Sequence, residues 1–225
     1  MKLYPLALLA GLVPLIAIHL CYMLAVQAGH VPACIPYLNS CTSISSAGRE
    51  GLEFYFFKAL MLPAAVIIFL FWLYTTRWLN LLTNTSKSYR NTIVVLGLIA
   101  ALGLLWYSVM LGAIGPQYRL QRRWGVIIFF SLSFIAQFMC MRALARPNKF
   151  QANLQVGLRL VAAYLLAIVL FAVSAVIISS INSDAYDAIE DTFEWWVTLL
   201  LCLFPLTLAR LWRKTHFQSN LSLGA

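Results

Sequence analysis

The sequence predicts an all-α polytopic membrane protein, a bundle of six transmembrane helices with both termini in the cytoplasm. Three observations carry that prediction. The chain is 62% hydrophobic and only 10% charged, with mean hydropathy +0.84, whereas ordinary globular chains are about half apolar and roughly a quarter charged. Its apolar residues fall into six long runs. Its basic residues are divided unequally between the two sets of connections. The length of 225 residues suits one compact bundle.

The runs cover 3–27, 54–73, 92–114, 124–141, 156–178 and 195–211. Each is near the roughly 20 residues that span about 30 Å of hydrocarbon. In lipid each must be helical, because a helix satisfies its own backbone donors and acceptors. A lipid-facing barrel would need short alternating segments, and these runs do not alternate. The first run, with Lys2 before it and Val26-Gln27-Ala28 after it, resembles a cleavable leader. Its apolar region is longer than a typical leader's, so it is read as the first span. Residues 1–214 thus form the transmembrane domain, and 215–225 a cytoplasmic tail expected to fray from Thr215 onward.

With the N-terminus inside, eleven basic residues are cytoplasmic: Lys2, Arg77, Lys87, Arg90, Arg142, Arg146, Lys149, Arg159, Arg210, Arg213 and Lys214. Five lie opposite: Arg49, Lys58, Arg119, Arg122 and Arg123. The positive-inside bias therefore selects cytoplasmic termini. The seven acids, Glu50, Glu53, Asp184, Asp187, Glu190, Asp191 and Glu194, all fall on the outer side. The net charge of +9 does not indicate nucleic acid, since no basic stripe interleaved with aromatics occurs. It reports orientation and contact with anionic headgroups. The location expected is the inner membrane of a bacterium, or a plasma membrane or endomembrane otherwise.

Cys34 and Cys41 share the first outer segment. They are either a disulfide formed in an oxidising compartment or two free thiols. Cys21, Cys140 and Cys202 lie inside runs and read as small apolar packing residues. No Cys-x-x-Cys occurs and the His/Cys spacing gives no zinc signature, so neither metal nor cofactor is expected.

The outer face, made of 28–53, 115–123 and 179–194, holds the candidate site. Arg119, Arg122 and Arg123 stand on the wrong side of the membrane for the charge rule. If that segment is helical, their spacing puts them on one face. Guanidinium forks match phosphate oxygens, so the cluster suits a phospholipid head; alternatively it pairs with nearby acids. Asp187, Glu190, Asp191 and Glu194 have i, i+3, i+4, i+7 spacing. Glu194, next to the Trp195-Trp196 pair that marks an interface, is expected to be the deepest acid and the candidate catalytic group. Ser43, Ser45 and Ser46, with Glu50, either line a headgroup pocket or form an ordinary turn. His19 is expected to bond a neighbouring helix's carbonyl, with a proton relay or metal as the alternative. His30 has no partner recognisable in sequence. Lys58 and Glu53 lie within snorkelling reach of the interface.

No Gly-x-Ser-x-Gly, Walker loop or His-Glu-x-x-His is present, which counts against a familiar serine hydrolase, ATPase or zincin. The runs Cys34-Ile35-Pro36-Tyr37-Leu38-Asn39-Ser40 and Ser43-Ile44-Ser45-Ser46-Ala47-Gly48 resemble the first-loop motif of the Frag/DRAM membrane family. That family includes the damage-regulated autophagy modulators and a Golgi factor of GPI-anchor lipid remodelling. Relatives often begin helix four with a His before a small residue. Here Arg122-Arg123-Trp124-Gly125 stands there, with Arg122 at the His position. Relatives often begin helix six with a Glu after an aromatic, which resembles Phe193-Glu194. The resemblance implies six spans and a role in lipid remodelling or organisation. Arg122 cannot supply acid–base chemistry near neutral pH, because arginine does not release its proton there, but it can bind phosphate.

Two functions follow as expectations. One is a lipid-handling protein binding an anionic phospholipid head through Arg119, Arg122 and Arg123, with Asp187 and Asp191 at the rim and Glu194 polarising a substrate group. The other is a scaffold or subunit for a membrane-protein partner or a second copy, with Gly97 and Ala101 four apart as a close-packing face. A small transporter ranks below both, since the spans carry almost no charge at mid-membrane.

Overall fold

In lipid, six apolar segments have no alternative to helix, and the computed structural model has helices at all six. It describes residues 2–146 and 151–218; Lys149 and the tail beyond residue 218 lie outside the described residues. The long helices are α1 (Tyr4–Ala28), α4 (Gly51–Leu82), α5 (Lys87–Met110), α6 (Pro116–Leu144), α7 (Gln151–Ile181) and α9 (Glu190–Lys214). Each is long and apolar enough to cross a membrane. Three short helices, α2 (Pro36–Asn39), α3 (Ile44–Ala47) and α8 (Ser183–Asp187), lie in the connections. The protein is a multi-pass membrane protein.

Several helices overrun the apolar runs. α4 continues to Leu82, and α6 begins at Pro116. Gly115 has φ +131°, a backbone conformation suited to glycine, and Pro116 then presets the first helical turn. The segment 115–123 is therefore mostly helix rather than turn. α5 ends at Met110, and Gly112 with φ +83° turns the chain.

α1 packs against α4 and α9, α4 against α5, α5 against α6, and α7 lies on α9. Close approach is made by small residues, as expected where lipid removes most of the hydrophobic drive. A Cβ on Gly11 would meet Leu206 and the Cys202 carbonyl at 2.6–2.7 Å. One on Gly97 would lie 2.2 Å from Trp72 Cγ. The small face around Gly97 is thus occupied inside the bundle by α4. Polar links join the helices: Tyr164 Oη donates to Thr207 at 2.9 Å, and Gln137 Nε2 to the Leu201 carbonyl at 3.1 Å.

Both ends of the described chain, Lys2 and Gln218, lie at one end of the bundle, the terminal end. Lys2 bridges Gln218, the Leu3 amide donates to the Phe217 carbonyl at 3.4 Å, and Trp78 Nε1 donates to Thr215 at 3.0 Å. Residues 215–218, expected to fray, are held there, with Phe217 buried against Trp212. The opposite, capped end carries residues 29–50.

Candidate functional site

The cap is built from residues 29–50, whose backbone needs partners that a short segment cannot supply itself. Cys34 and Cys41 are joined by a disulfide that closes part of this segment. Tyr22 of α1 clamps it, its hydroxyl donating to the Cys34 carbonyl at 2.7 Å and accepting from the Cys34 amide at 2.8 Å. α9 supplies the other anchor. Trp195 Nε1 donates to the Thr42 carbonyl at 2.9 Å, Trp196 Nε1 to the Tyr37 carbonyl at 3.0 Å, and Thr192 Oγ1 to the Pro36 carbonyl at 3.1 Å. Trp195 is 0% exposed. The tryptophan pair mounts the cap on α9.

His19 completes this aromatic cluster. Its Nδ1 donates to the Leu15 carbonyl of its own helix at 2.7 Å, which leaves Nε2 to accept from the Tyr37 hydroxyl at 3.0 Å. The expected carbonyl partner exists, but on the same helix. The Tyr37 hydroxyl is a partner that no local sequence signal indicates.

Glu194 lies one turn inside α9. The Ile44 amide donates to its Oε2 at 3.2 Å, and Thr198 Oγ1 donates to its backbone carbonyl at 2.8 Å. Beside it is a cavity of about 30 Å³ lined by residues of α1, α3, α4, α5, α6 and α9, among them Met61, Leu104, Tyr107, Phe129, Phe130 and Glu194. Glu53 is a second buried acid at this end, at 1% exposed, and its carboxylate accepts a hydrogen bond from His30 Nδ1. The two residues are far apart in sequence, which is why sequence reading found no dyad. Gly51, with φ +55°, makes room for them: a Cβ there would lie 2.6 Å from His30 Cε1.

The hydrogen bond to Glu53 raises the His30 pKa above its usual value, with a further electrostatic contribution from Glu50. The sign follows: the imidazolium–carboxylate attachment is fully present below the unfolded His value of about 6.5 and is lost as pH rises through the higher folded value. Hydrogen exchange at residues 29–35, corrected for intrinsic rate, should therefore accelerate as pH rises across neutrality in the wild type. In His30→Gln the pH dependence should vanish. The same profile in both proteins would show that His30 does not hold the cap.

The candidate residues are not all brought together. Arg119, Arg122 and Arg123 lie in the first two turns of α6. Arg122 is half-buried and donates to the Ala113 carbonyl at 2.8 Å and the Met110 carbonyl at 3.4 Å. It satisfies carbonyls left open where α5 ends. Arg119 and Arg123 are exposed. Arg122 is within electrostatic reach of Arg49 and Arg119, and Arg123 of Tyr186. Among the described residues, none of these four arginines has a carboxylate within ion-pair distance. The pairing with the outer acids, held open as an alternative, is not made. Nor do the acids form one line: Asp187 ends α8, Ala188 and Ile189 intervene, and α9 starts at Glu190. Asp187 is exposed and Asp191 partly buried.

The serines form a local turn network. Ser43 Oγ caps α3 by accepting from the Ser46 amide at 3.0 Å and lies 3.1 Å from Ser45 Oγ. Arg49 donates to Ser45 Oγ at 3.3 Å. Glu50 precedes α4, exposed and without a side-chain cap bond. Lys58, as expected for a snorkelling residue, reaches the Val109 carbonyl at 3.2 Å over the Phe54 ring.

Sequence reading missed Tyr107 altogether. It is 4% exposed, lines the cavity, and its hydroxyl has no hydrogen-bond partner. It sits within electrostatic reach of Glu194, Arg49 and Arg122. Nothing in an apolar run such as Leu104–Met110 distinguishes it from a packing residue.

Comparison with known proteins agrees with the loop motif. No curated protein and no solved structure matches the chain. A family model does, over residues 2–210, including the cap, the arginine cluster and Glu194. The chain therefore belongs to the family described as Frag1/DRAM/Sfk1/Cwh43P N-terminal domain.

Proposed function

We propose that this protein handles membrane lipid at its capped end, binding the phosphorylated head of an anionic phospholipid through Arg119 and Arg123, with Arg49 and Arg122 beside them. The observation that carries the reading is the group of guanidiniums with no carboxylate at ion-pair distance. Like charges gathered near a low-dielectric boundary repel one another. They are tolerated best where an anion joins them, and guanidiniums hold phosphate with paired N–H donors. In a bilayer the anion at that depth is a lipid phosphate. Ser45 and Arg49 extend the polar rim, and Glu194 is the group available to orient or polarise a lipid atom entering the cavity.

In this reading the capped end faces away from the cytoplasm. The disulfide supports that assignment, since such bonds persist in oxidising compartments. The excess of basic residues at the terminal end supports it too. The family's association with lipid remodelling is consistent with a headgroup site, and the function proposed is lipid binding in the service of remodelling or lipid organisation.

The test spares Arg122, which ties α6 to the end of α5. Arg119→Gln/Arg123→Gln protein in nanodiscs containing phosphatidylglycerol and phosphatidylcholine should lose most of its preference for phosphatidylglycerol, about ten-fold or more, from two charge-assisted contacts. Native mass spectrometry reads the retained lipids directly. The wild-type preference should also weaken with added salt. An unchanged preference in a well-folded double variant would contradict the proposal.

A further inference from the structure

A loop lying over the end of a bundle can leave its backbone to water, whereas one that enters lipid must pair it within the protein. Residues 34–37 of the cap do the second. All four of their carbonyls accept hydrogen bonds: Cys34 from Tyr22 Oη at 2.7 Å, Ile35 from the Leu38 and Asn39 amides at 2.8 and 2.9 Å, Pro36 from Thr192 Oγ1, and Tyr37 from Trp196 Nε1. The Cys34 amide donates to Tyr22 Oη, and the Ile35 amide to Asn39 Oδ1 at 3.2 Å. Pro36 has no amide hydrogen to place. Side chains of α1 and α9 thus do for this stretch much of what a helix does with its own backbone.

The side chains of the stretch are sorted too. Pro36 is buried, and Tyr37 turns inward to His19 and Trp196. Ile35 and Leu38, three residues apart, are 56% and 71% exposed. Depth identifies what they face. Side chains on a helix lean toward its N-terminus, which for α1 is the terminal end, so the Tyr22–Cys34 contact lies at the level of Tyr22 or deeper. Tyr22 is six residues short of Ala28, where α1 ends, about 9 Å along the axis at a rise of about 1.5 Å per residue. Met23, next to it, is an exposed apolar residue. On α7, Phe171 stacks on Trp196 at 6.2 Å, and Val173, Val176 and Ile177 stand exposed farther toward the capped end. Exposed apolar side chains on membrane-spanning helices are the surface that lipid covers, and Ile35 and Leu38 stand at the same depth as that surface.

We infer that residues 35–38 form a re-entrant wedge, seated in the capped-end leaflet with Ile35 and Leu38 against acyl chains. The partner is the hydrocarbon of the lipid and not its head, so the inference is independent of the arginine rim. It gives Tyr22, Thr192 and Trp196 a common task. They hold a short non-helical segment at a depth where its backbone has no water to turn to.

Photolabelling of the wild-type protein in nanodiscs tests the wedge without a substitution. One preparation carries a phospholipid with a diazirine in its acyl chain, and the other receives a water-soluble diazirine. Peptide mapping should find residues 35–38 labelled several-fold more by the chain-borne reagent than by the aqueous one, the pattern also expected for 173–177 of α7. Arg49 and Glu50, exposed and charged, should show the opposite preference. Arg119→Gln/Arg123→Gln protein should keep the wild-type labelling of 35–38, which separates the wedge from the headgroup reading. Aqueous labelling of Ile35 and Leu38 equal to or above the chain-borne labelling would overturn the inference. So would protection from both reagents, the result that a second copy or another protein seated on the patch would give.

Discussion

Trp195→Ala will destabilise the protein by about 3 kcal/mol or more and release the cap from the bundle, the effect expected for truncating a large buried aromatic. Trp195 is fully buried, and its ring packs edge-on against His19, Tyr22 and Tyr37 at centroid distances of 5.6, 5.8 and 5.6 Å. Its indole nitrogen also satisfies the Thr42 carbonyl. Truncation leaves a cavity among three rings and a carbonyl without its donor. Because lipid is itself apolar, the loss is one of packing and hydrogen bonding rather than of water exclusion. Trp195→Phe separates the two contributions: it refills most of the cavity and forfeits only the bond to Thr42, so about 1 kcal/mol should be lost. Unfolding in mild detergent, followed with proteolysis of residues 29–50, measures both. A Trp195→Ala protein as stable and protease-resistant as wild type would show that the cap is held by something else.

Gly97→Leu will prevent assembly of the α4–α5 pair, and Gly97→Ala will cost about 1–3 kcal/mol, the range for overpacking a filled core. The added carbon would stand 2.2 Å from Trp72 Cγ and 2.4 Å from its Cδ2. Trp72 has nowhere to go. It is 2% exposed, with Phe204 stacked on it at 5.9 Å and Phe71 edge-on at 5.3 Å. The helices must separate, and α4 carries Glu53 at the base of the cap. Size-exclusion profiles and melting of detergent-extracted protein test this. Gly97→Leu protein that elutes as one species and melts with wild type would contradict the packing described here.

The spans were legible because lipid leaves an apolar segment one conformation. Helix ends follow a different rule: hydrogen bonding carries α4 on to Leu82 and starts α6 at Pro116, beyond the apolar runs 54–73 and 124–141. The Gly115-Pro116 pair was the available signal for that start. At the candidate site, Arg119, Arg122 and Arg123 stood out because the charge rule places them opposite most of the basic residues. Their partners could not be found that way. Arg122 bonds carbonyls of the preceding loop, the aligned acids are broken at Ala188-Ile189, and His30 meets Glu53 only because residues 29–50 fold back over α4. Tyr107 becomes visible only when its hydroxyl is found buried without a partner.

Cryo-electron microscopy of the protein in phosphatidylglycerol nanodiscs tests the lipid site most directly. The account predicts phosphate density in contact with Arg119 and Arg123. Density showing those two guanidiniums paired with Asp187, Glu190 or Asp191, and no lipid between them, would contradict it.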